Sequence, residues 1–264
     1  MTPSSTRPVA LITGASSGIG LQFAHLHAER GGDLVVVARS RERLDGLKAE
    51  FEARHHTRVL VIVKDLGLPG APQEVYDEVT RAGVSVDILI NNAGFGGQGR
   101  FHERAWEADR AMIQLNVVAL TALTRLFLPD FVARKSGRVL NVSSTAGMMP
   151  GPLQAVYYAT KAYVTSFSNA IAEELRGTGV TVTALLPGVT ETEFAKVSGM
   201  DKTPMFAQGA SAREVATAGY EGAMRGDLDV IAGVTWSQRM MLAMAPLFPK
   251  RMMLSQIRQM QEAR

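Results

Sequence analysis

The sequence predicts an α/β fold built on a parallel sheet, and three observations predict it. Short, continuous apolar runs recur down the chain, as expected of strands covered on both faces. Helical patterns separate those runs. The first run passes through a glycine-rich turn directly into a helix, an order that gives such a turn meaning. At 264 residues the chain can bury this sheet in a single domain, read as a core over 8–233 with an extension over 235–264.

Val9-Ala10-Leu11-Ile12 reads as the first strand, Thr13-Gly14-Ala15-Ser16-Ser17-Gly18-Ile19-Gly20 as the turn, and Leu21 to Arg30 as the helix. Glycines let the main chain approach a pyrophosphate, which then sits on the positive helix N-terminus. A ligand-free glycine connection is the plain alternative, and the Thr-Gly-x-x-x-Gly-x-Gly spacing differs from the commoner G-x-G-x-x-G. Leu34–Val37 is the second strand. A carboxylate at its end would bind a ribose 2′-hydroxyl and repel a 2′-phosphate, but Ala38 and Arg39 stand there. The Arg39 guanidinium can fork onto phosphate; otherwise it is a surface arginine before the helix Arg41–Arg54.

Val59–Val63, the third strand, runs into Asp65 and Leu66. Asp65 either accepts from an adenine amino group or caps the turn before Pro69. A helix over Gln73–Ala82 leads to the fourth strand, Val86–Ile90, which ends in Asn91-Asn92-Ala93-Gly94. Small and amide residues there permit close approach to a ligand, and Phe95 offers an apolar wall in the glycine-rich loop that follows. From Trp106 to about Arg134 runs a largely apolar helix, or pair of helices, interrupted by Asn116, whose amide needs partners if buried. Gly137–Val142, the fifth strand, delivers Ser143 and Ser144 at its C-terminal end.

Tyr157 and Lys161 are four apart on the next helix, which runs to about Arg176, so both can point into one site. A free phenol titrates near pH ~10, and a nearby ammonium is expected to draw that value down. Tyr158 lies about 100° further round and has Ala162 at its i+4 position, so Tyr157 is the candidate. Val180–Leu186 is the sixth strand, followed by Pro187-Gly188-Val189-Thr190-Glu191-Thr192. The segment Phe194–Gln208 looks irregular, and a lid over 190–212 is expected. A helix near Ser211–Arg225 and a last strand, Asp229–Ala232, complete the core.

Composition narrows the function. With no cysteine, disulfides, thiolate zinc sites and cysteine nucleophiles are excluded, and a cytoplasmic setting fits. His25 and His27 diverge on a helix and His55 and His56 are adjacent, so the histidines read as surface residues and no metal site is expected. The net charge is +3; beyond residue 235, five basic residues against one acidic give +4, so the remainder carries −1. No basic face suits nucleic acid. Met1 to Pro8 is short and polar and reads as no secretory leader, and no apolar run reads as a bilayer span.

Taken together, these motifs resemble the short-chain dehydrogenase/reductase family, in its compact single-domain branch, over roughly residues 8–233. The Thr13-to-Gly20 turn resembles the family's cofactor turn, and Asn92-Ala93-Gly94 its fourth-strand motif. Asn116, Ser144, Tyr157 and Lys161 fall at the positions of its catalytic residues, with Ser144 thirteen residues before Tyr157. The resemblance implies a doubly wound Rossmann-type sheet of seven parallel strands in the order 3-2-1-4-5-6-7, helices on both faces. It implies NADP(H) as the preferred cofactor and NAD(H) as the second choice. The cofactor residues would be Gly14, Ser16, Ser17, Gly18, Ile19, Gly20, Arg39, Asp65, Leu66, Asn92, Ala93, Gly94, Tyr157, Lys161, Pro187, Gly188, Thr190 and Thr192. Thr190 departs from the valine or isoleucine usual there. In this reading Tyr157 exchanges a proton with the substrate oxygen, Ser144 holds that oxygen, Lys161 also reaches the nicotinamide ribose, and Asn116 supports a water relay. A homodimer or homotetramer is implied as well.

The residues expected to border the substrate are Phe95, Thr145, Met148, Met149, Leu153, Val189, Phe194 and Phe206, which favour a lipophilic ketone, aldehyde or secondary alcohol. The tail from Trp236 interleaves methionines and leucines with basic residues, and Pro246 and Pro249 divide it. Its apolar face either packs on protein or rests on an anionic membrane. Three functions follow: a carbonyl reductase, a cofactor-binding sensor or scaffold without catalysis, and a reductase of lipids at a membrane surface. The intact Asn116, Ser144, Tyr157 and Lys161 set argues against the second.

Overall fold

The computed structural model describes residues 7–194, 198, 209–244 and 249–262. Seven strands, β1 (Val9–Thr13), β2 (Asp33–Ala38), β3 (Val59–Val63), β4 (Ile88–Asn91), β5 (Gly137–Val142), β6 (Val180–Pro187) and β7 (Asp229–Ala232), form one sheet in the order β3-β2-β1-β4-β5-β6-β7. Every pairing in it is parallel, and Leu11 of β1 lies between Val35 of β2 and Leu89 of β4. The expected order and handed-out faces are therefore those observed.

The strands read as unbroken apolar runs because helices cover both faces. On one side α1 (Gly18–Glu29), α2 (Arg41–His55) and α7 (Ala212–Arg225) bring Phe23, Leu44, Phe51, Val215 and Tyr220 against Ala10, Ile12 and Val36. On the other, α3 (Ala71–Arg81), α5 (Leu120–Ala133) and α6 (Ala155–Glu174) bring Val75, Val79, Leu123, Phe127, Phe131 and Ile171 against Leu11, Val35 and Leu89. Alternate residues of one strand thus feed two cores, and each fully buried Leu or Phe side chain contributes about 1.5–3 kcal/mol.

The apolar stretch after Trp106 is a continuous helical run: α4 (Trp106–Ile113), a π-helical turn (Gln114–Ala119) and α5. Contrary to expectation, Trp106–Ala133 is long and apolar enough to cross a membrane by length and composition. Its Met112, Leu120, Leu123, Phe127 and Phe131 are buried in the protein, which accounts for the apolar face. α3 begins two residues earlier than expected, at Ala71, because Gly70 supplies a left-handed N-cap and Pro72 suits the first turn. His27 also departs from the surface reading. It is buried, with Nδ1 on the Tyr220 hydroxyl at 2.8 Å and Nε2 on the Pro8 carbonyl at 2.9 Å.

A polar chain crosses the second core. Asn91 of β4 donates to Asn141 Oδ1 of the neighbouring β5 at 2.9 Å and to Thr124 Oγ1 at 3.0 Å. Asn141 in turn donates to Ser168 Oγ at 2.9 Å. The tail forms α8 (Trp236–Met244) and α9 (Lys250–Gln261). Leu242, Ile257 and Gln261 are buried, while Trp236, Met240, Met241 and Met252 are exposed. Met200, Met205 and Phe206, and most of the expected lid, lie outside the described residues.

Candidate active site

The C-terminal ends of β1, β4, β5 and β6 converge, as the crevice of an open parallel sheet requires. Gly14 (φ +66°) and Gly18 (φ +56°) occupy the left-handed region, which the turn after β1 needs and other residues adopt at a cost. Thr13 clamps this turn to β4: its Oγ1 accepts from Asn92 N at 2.9 Å and Ala93 N at 3.0 Å. Asn92 Nδ2 returns a bond to the Thr13 carbonyl at 2.9 Å. Gly20 is pressed so closely that a Cβ there would meet Gly14 O at 2.3 Å. From the far side of the crevice, Thr192 reaches Gly18, whose Cβ would stand 3.2 Å from Thr192 Cγ2.

Ser16, Ser17 and Ile19 are half-buried around the N-terminus of α1, where no side chain caps the helix and no acid sits in the first turn. The first-turn amides can therefore meet an anion. Arg39 is exposed just beyond β2. Asp65 Oδ1 accepts from Gly67 N at 2.9 Å, the turn-capping alternative, and Leu66 is buried in the second core. Pro187 and Gly188 close β6, with Gly188 N donating to the Ala232 carbonyl at 2.8 Å. Thr190 turns its hydroxyl back onto the Gly188 carbonyl at 3.0 Å. The left-handed glycines, the uncapped helix end and a cation where an acid would stand fit a nicotinamide dinucleotide.

The four candidate catalytic residues are all near one another. Tyr157 and Lys161 are buried on one face of α6. Ser144 Oγ accepts from Ala146 N at 3.1 Å and donates to the Pro187 carbonyl at 3.4 Å, and its hydroxyl draws the Tyr157 phenol downward. Ser143 is spent elsewhere: its hydroxyl bonds the Lys161 carbonyl at 2.8 Å and Thr165 at 2.7 Å, which separates the adjacent serines by geometry. Asn116 lies in the π-helical turn, a distortion often found at functional sites, and grips Phe95 through both of its main-chain groups, at 3.1 and 2.9 Å. Gly94 is where a Cβ would meet Asn116 Oδ1 at 3.0 Å and Lys161 Nζ at 3.6 Å.

One electrostatic expectation is overturned. The Tyr157 phenol is not drawn down; burial pushes it above its ordinary range, with only the Ser144 hydroxyl opposing. Lys161 Nζ donates to the Val142 carbonyl at 2.8 Å and stands 5.8 Å from the Tyr157 ring centre. Its own value falls to about 8 because burial disfavours the cation.

Around the phenol, Phe95, Met149 and Phe194 pack with Met112 and Tyr158, and the Phe194 ring lies 5.5 Å from that of Tyr157. Thr145 turns its hydroxyl to the Pro187 carbonyl at 3.2 Å. Val189 is half-buried in the β6 turn, its carbonyl accepting from Ala210 N at 2.9 Å. Leu153 departs from the expected set. At φ +64° it lines a separate cavity of about 550 Å³ with Gln98, Ser198 and Gln261. Two contacts had no local signal in the sequence. Arg43, one turn into α2, forks onto Glu193 at 2.9 and 3.2 Å. Gln261 of α9 donates to the Tyr158 hydroxyl at 2.7 Å.

Comparison with known proteins shows the family. A family model described as short chain dehydrogenase matches residues 8–203. The human very-long-chain 3-oxoacyl-CoA reductase is 34% identical over 194 residues, 71% of this chain and 61% of that protein, so the chain spans about three-fifths of that relative's length. A short-chain dehydrogenase from Sphingobium yanoikuyae, solved in complex with NADPH, is 35% identical, with TM-score 0.82 over 97% of this chain and 98% of that one. The bulky-bulky ketone specific alcohol dehydrogenase from Comamonas testosteroni is 31% identical, with TM-score 0.78 over 92% and 93% of the two chains.

Proposed function

Because the chain belongs to the short-chain dehydrogenase family, we propose that it is an NADP(H)-dependent oxidoreductase that interconverts a lipophilic ketone or aldehyde and its alcohol. The observation that carries this reading is the Tyr157 phenol, buried among Phe95, Met149 and Phe194 one helical turn from buried Lys161. NADPH, when bound, supplies the hydride. Gly14, Gly18 and the α1 N-terminus would hold its pyrophosphate, and Arg39 its 2′-phosphate.

The chain's own residues do the proton work. A phenol pushed upward stays protonated at neutral pH, the form needed to donate to the carbonyl oxygen as it gains charge. Ser144 holds that oxygen on a fixed donor, a preorganised contact of the kind that lowers barriers. Lys161, near 8, can pass a proton toward the phenol at working pH, and Asn116 fixes the Phe95 backbone beside it. Phe95, Met149 and Phe194 exclude water and favour apolar substrates. The protein would act in the cytoplasm as a homodimer or homotetramer.

The test is NADPH oxidation over a panel of hydrophobic ketones and aldehydes, with Tyr157→Phe alongside. Turnover that vanishes in the variant supports the reading. NADPH binding without any turnover on the panel favours a sensor or scaffold instead. A second reading, reduction of a long-chain 3-oxoacyl thioester at a membrane surface, is favoured by the name of the human relative and by exposed Trp236, Met240 and Met241 beside Arg239. Flotation on anionic liposomes, with and without residues 236–264, separates it.

A further inference from the structure

Tyr158 is buried beside Tyr157, the two rings 6.1 Å apart and edge to face. Its hydroxyl is held by Gln261, which is 1% exposed although it lies in the last turn of α9, outside the nucleotide-binding core. The Gln261 main-chain carbonyl accepts from Gln98 Nε2. One residue of the tail therefore grips two separate walls of the cluster around Tyr157. One wall is α6, through Tyr158; the other is the glycine-rich loop that carries Phe95, through Gln98.

That loop needs such a grip. Gly94, Gly96, Gly97 and Gly99 leave its backbone conformationally free, and an ordered wall must offset that freedom. Arg104 contributes a second brace, donating to the Gln98 carbonyl at 2.7 Å while paired with buried Asp109 at 2.8 Å. Gln261 also borders the separate cavity of about 550 Å³ under Leu153 and Ser198, so undocking α9 would open that cavity and release both walls that Gln261 ties together. Its Oε1 is buried and has no partner among the described residues, which makes the docked state less favourable and the latch able to open.

We infer that α9 is a wall of the substrate site and that Gln261, acting through Tyr158 and Gln98, is a positioning residue that sets which substrate sizes are accepted. The inference rests on the reductase reading above and concerns a part of the chain that reading does not use. Ile257 and Gln261 are buried and Met252 and Met260 are exposed, so α9 docks by one face.

The test compares wild type, Gln261→Ala and Tyr158→Phe in the full-length protein, with kcat/KM measured over 2-alkanones from four to thirteen carbons (about that range spans the pocket sizes in question). NADPH affinity and melting temperature are measured beside it. The expected result is a ratio of short-chain to long-chain kcat/KM that falls about tenfold in both variants, carried by KM, with NADPH affinity unchanged. A variant that only melts earlier, with the ratio unmoved, overturns the inference and leaves the reductase reading intact. A wild type that turns over no ketone fails the reductase reading first. If Gln261→Ala does not fold, Tyr158→Phe alone decides, since it keeps the ring and removes only the latched hydroxyl.

Discussion

Lys161 lies one helical turn from Tyr157, but its ammonium is bonded to the Val142 carbonyl at 2.8 Å and faces the phenol ring at 5.8 Å. The spacing that identifies the pair thus delivers proximity without a direct ammonium–phenol bond. Burial lowers Lys161 to about 8, whereas an unfolded lysine titrates near ~10.4. Between those values the unfolded chain holds the proton and the folded chain has released it, so stability rises with pH across that window. Urea unfolding of wild type against Lys161→Met, from pH 7 to 10, should show the rise in wild type and a flatter profile in the variant.

Arg39 should decide between the two nicotinamide cofactors. Losing a charge-assisted fork to the 2′-phosphate should weaken NADPH binding in Arg39→Ala by roughly tenfold or more, and leave NADH within about twofold. Equal losses for the two cofactors, read by fluorescence titration, would sink the phosphate assignment.

Gly20 tests the glycine turn by packing. A Cβ there would sit 2.3 Å from Gly14 O and 2.4 Å from Asn92 Nδ2, so Gly20→Ala must push β4 away from the turn. A stability loss of about 1–3 kcal/mol and failure to bind NADPH are expected. Gly46→Ala is the control: nothing lies within 4 Å of its Cβ, and in the middle of α2 it should stabilise by about 0.5–1 kcal/mol. Chemical denaturation of both variants reads the contrast.

His27 gives the fold an acid limit. Burial lowers its value below the ordinary 6.5 although the Pro8 carbonyl works the other way. Below that pH the unfolded chain takes a proton that the folded chain resists, so stability falls as pH drops through about 6.5. In His27→Gln the slope between pH 7 and 5 should shrink, as measured by the urea midpoint.

The strands were legible because each is encoded within a few positions as an apolar run, and the glycine spacing and the tyrosine and lysine one turn apart were equally local; the strand order came only through the resemblance. The choice of Ser144 over Ser143 was legible only through the resemblance; spacing alone does not reveal that Ser143 is committed to Lys161 and Thr165. Contacts between distant segments left no trace. Gln261 and Tyr158 are 103 positions apart, and Arg43 and Glu193 are 150 apart. His27 was misread because its partners, Tyr220 and Pro8, come from another helix and the chain before β1. The pKa of Tyr157 was misjudged because helical spacing reports which groups are near and not how dry their surroundings are.

The asparagine pair at the centre of the sheet has a consequence for how the strands find their alignment. A strand buried on both faces has no polar side to keep out of the core, so sliding it by one residue exchanges one apolar residue for another. Asn91 and Asn141 are opposite each other in β4 and β5. Any slip between these strands breaks the bond between the two amides and takes from Asn141 Oδ1 its donor, at about 1–3 kcal/mol for a buried group left unpaired. Where apolar sequence is mute about alignment, one hydrogen bond between two amides tells the native sheet from its shifted competitors, and the ends of β4 and β5 arrive level at the crevice.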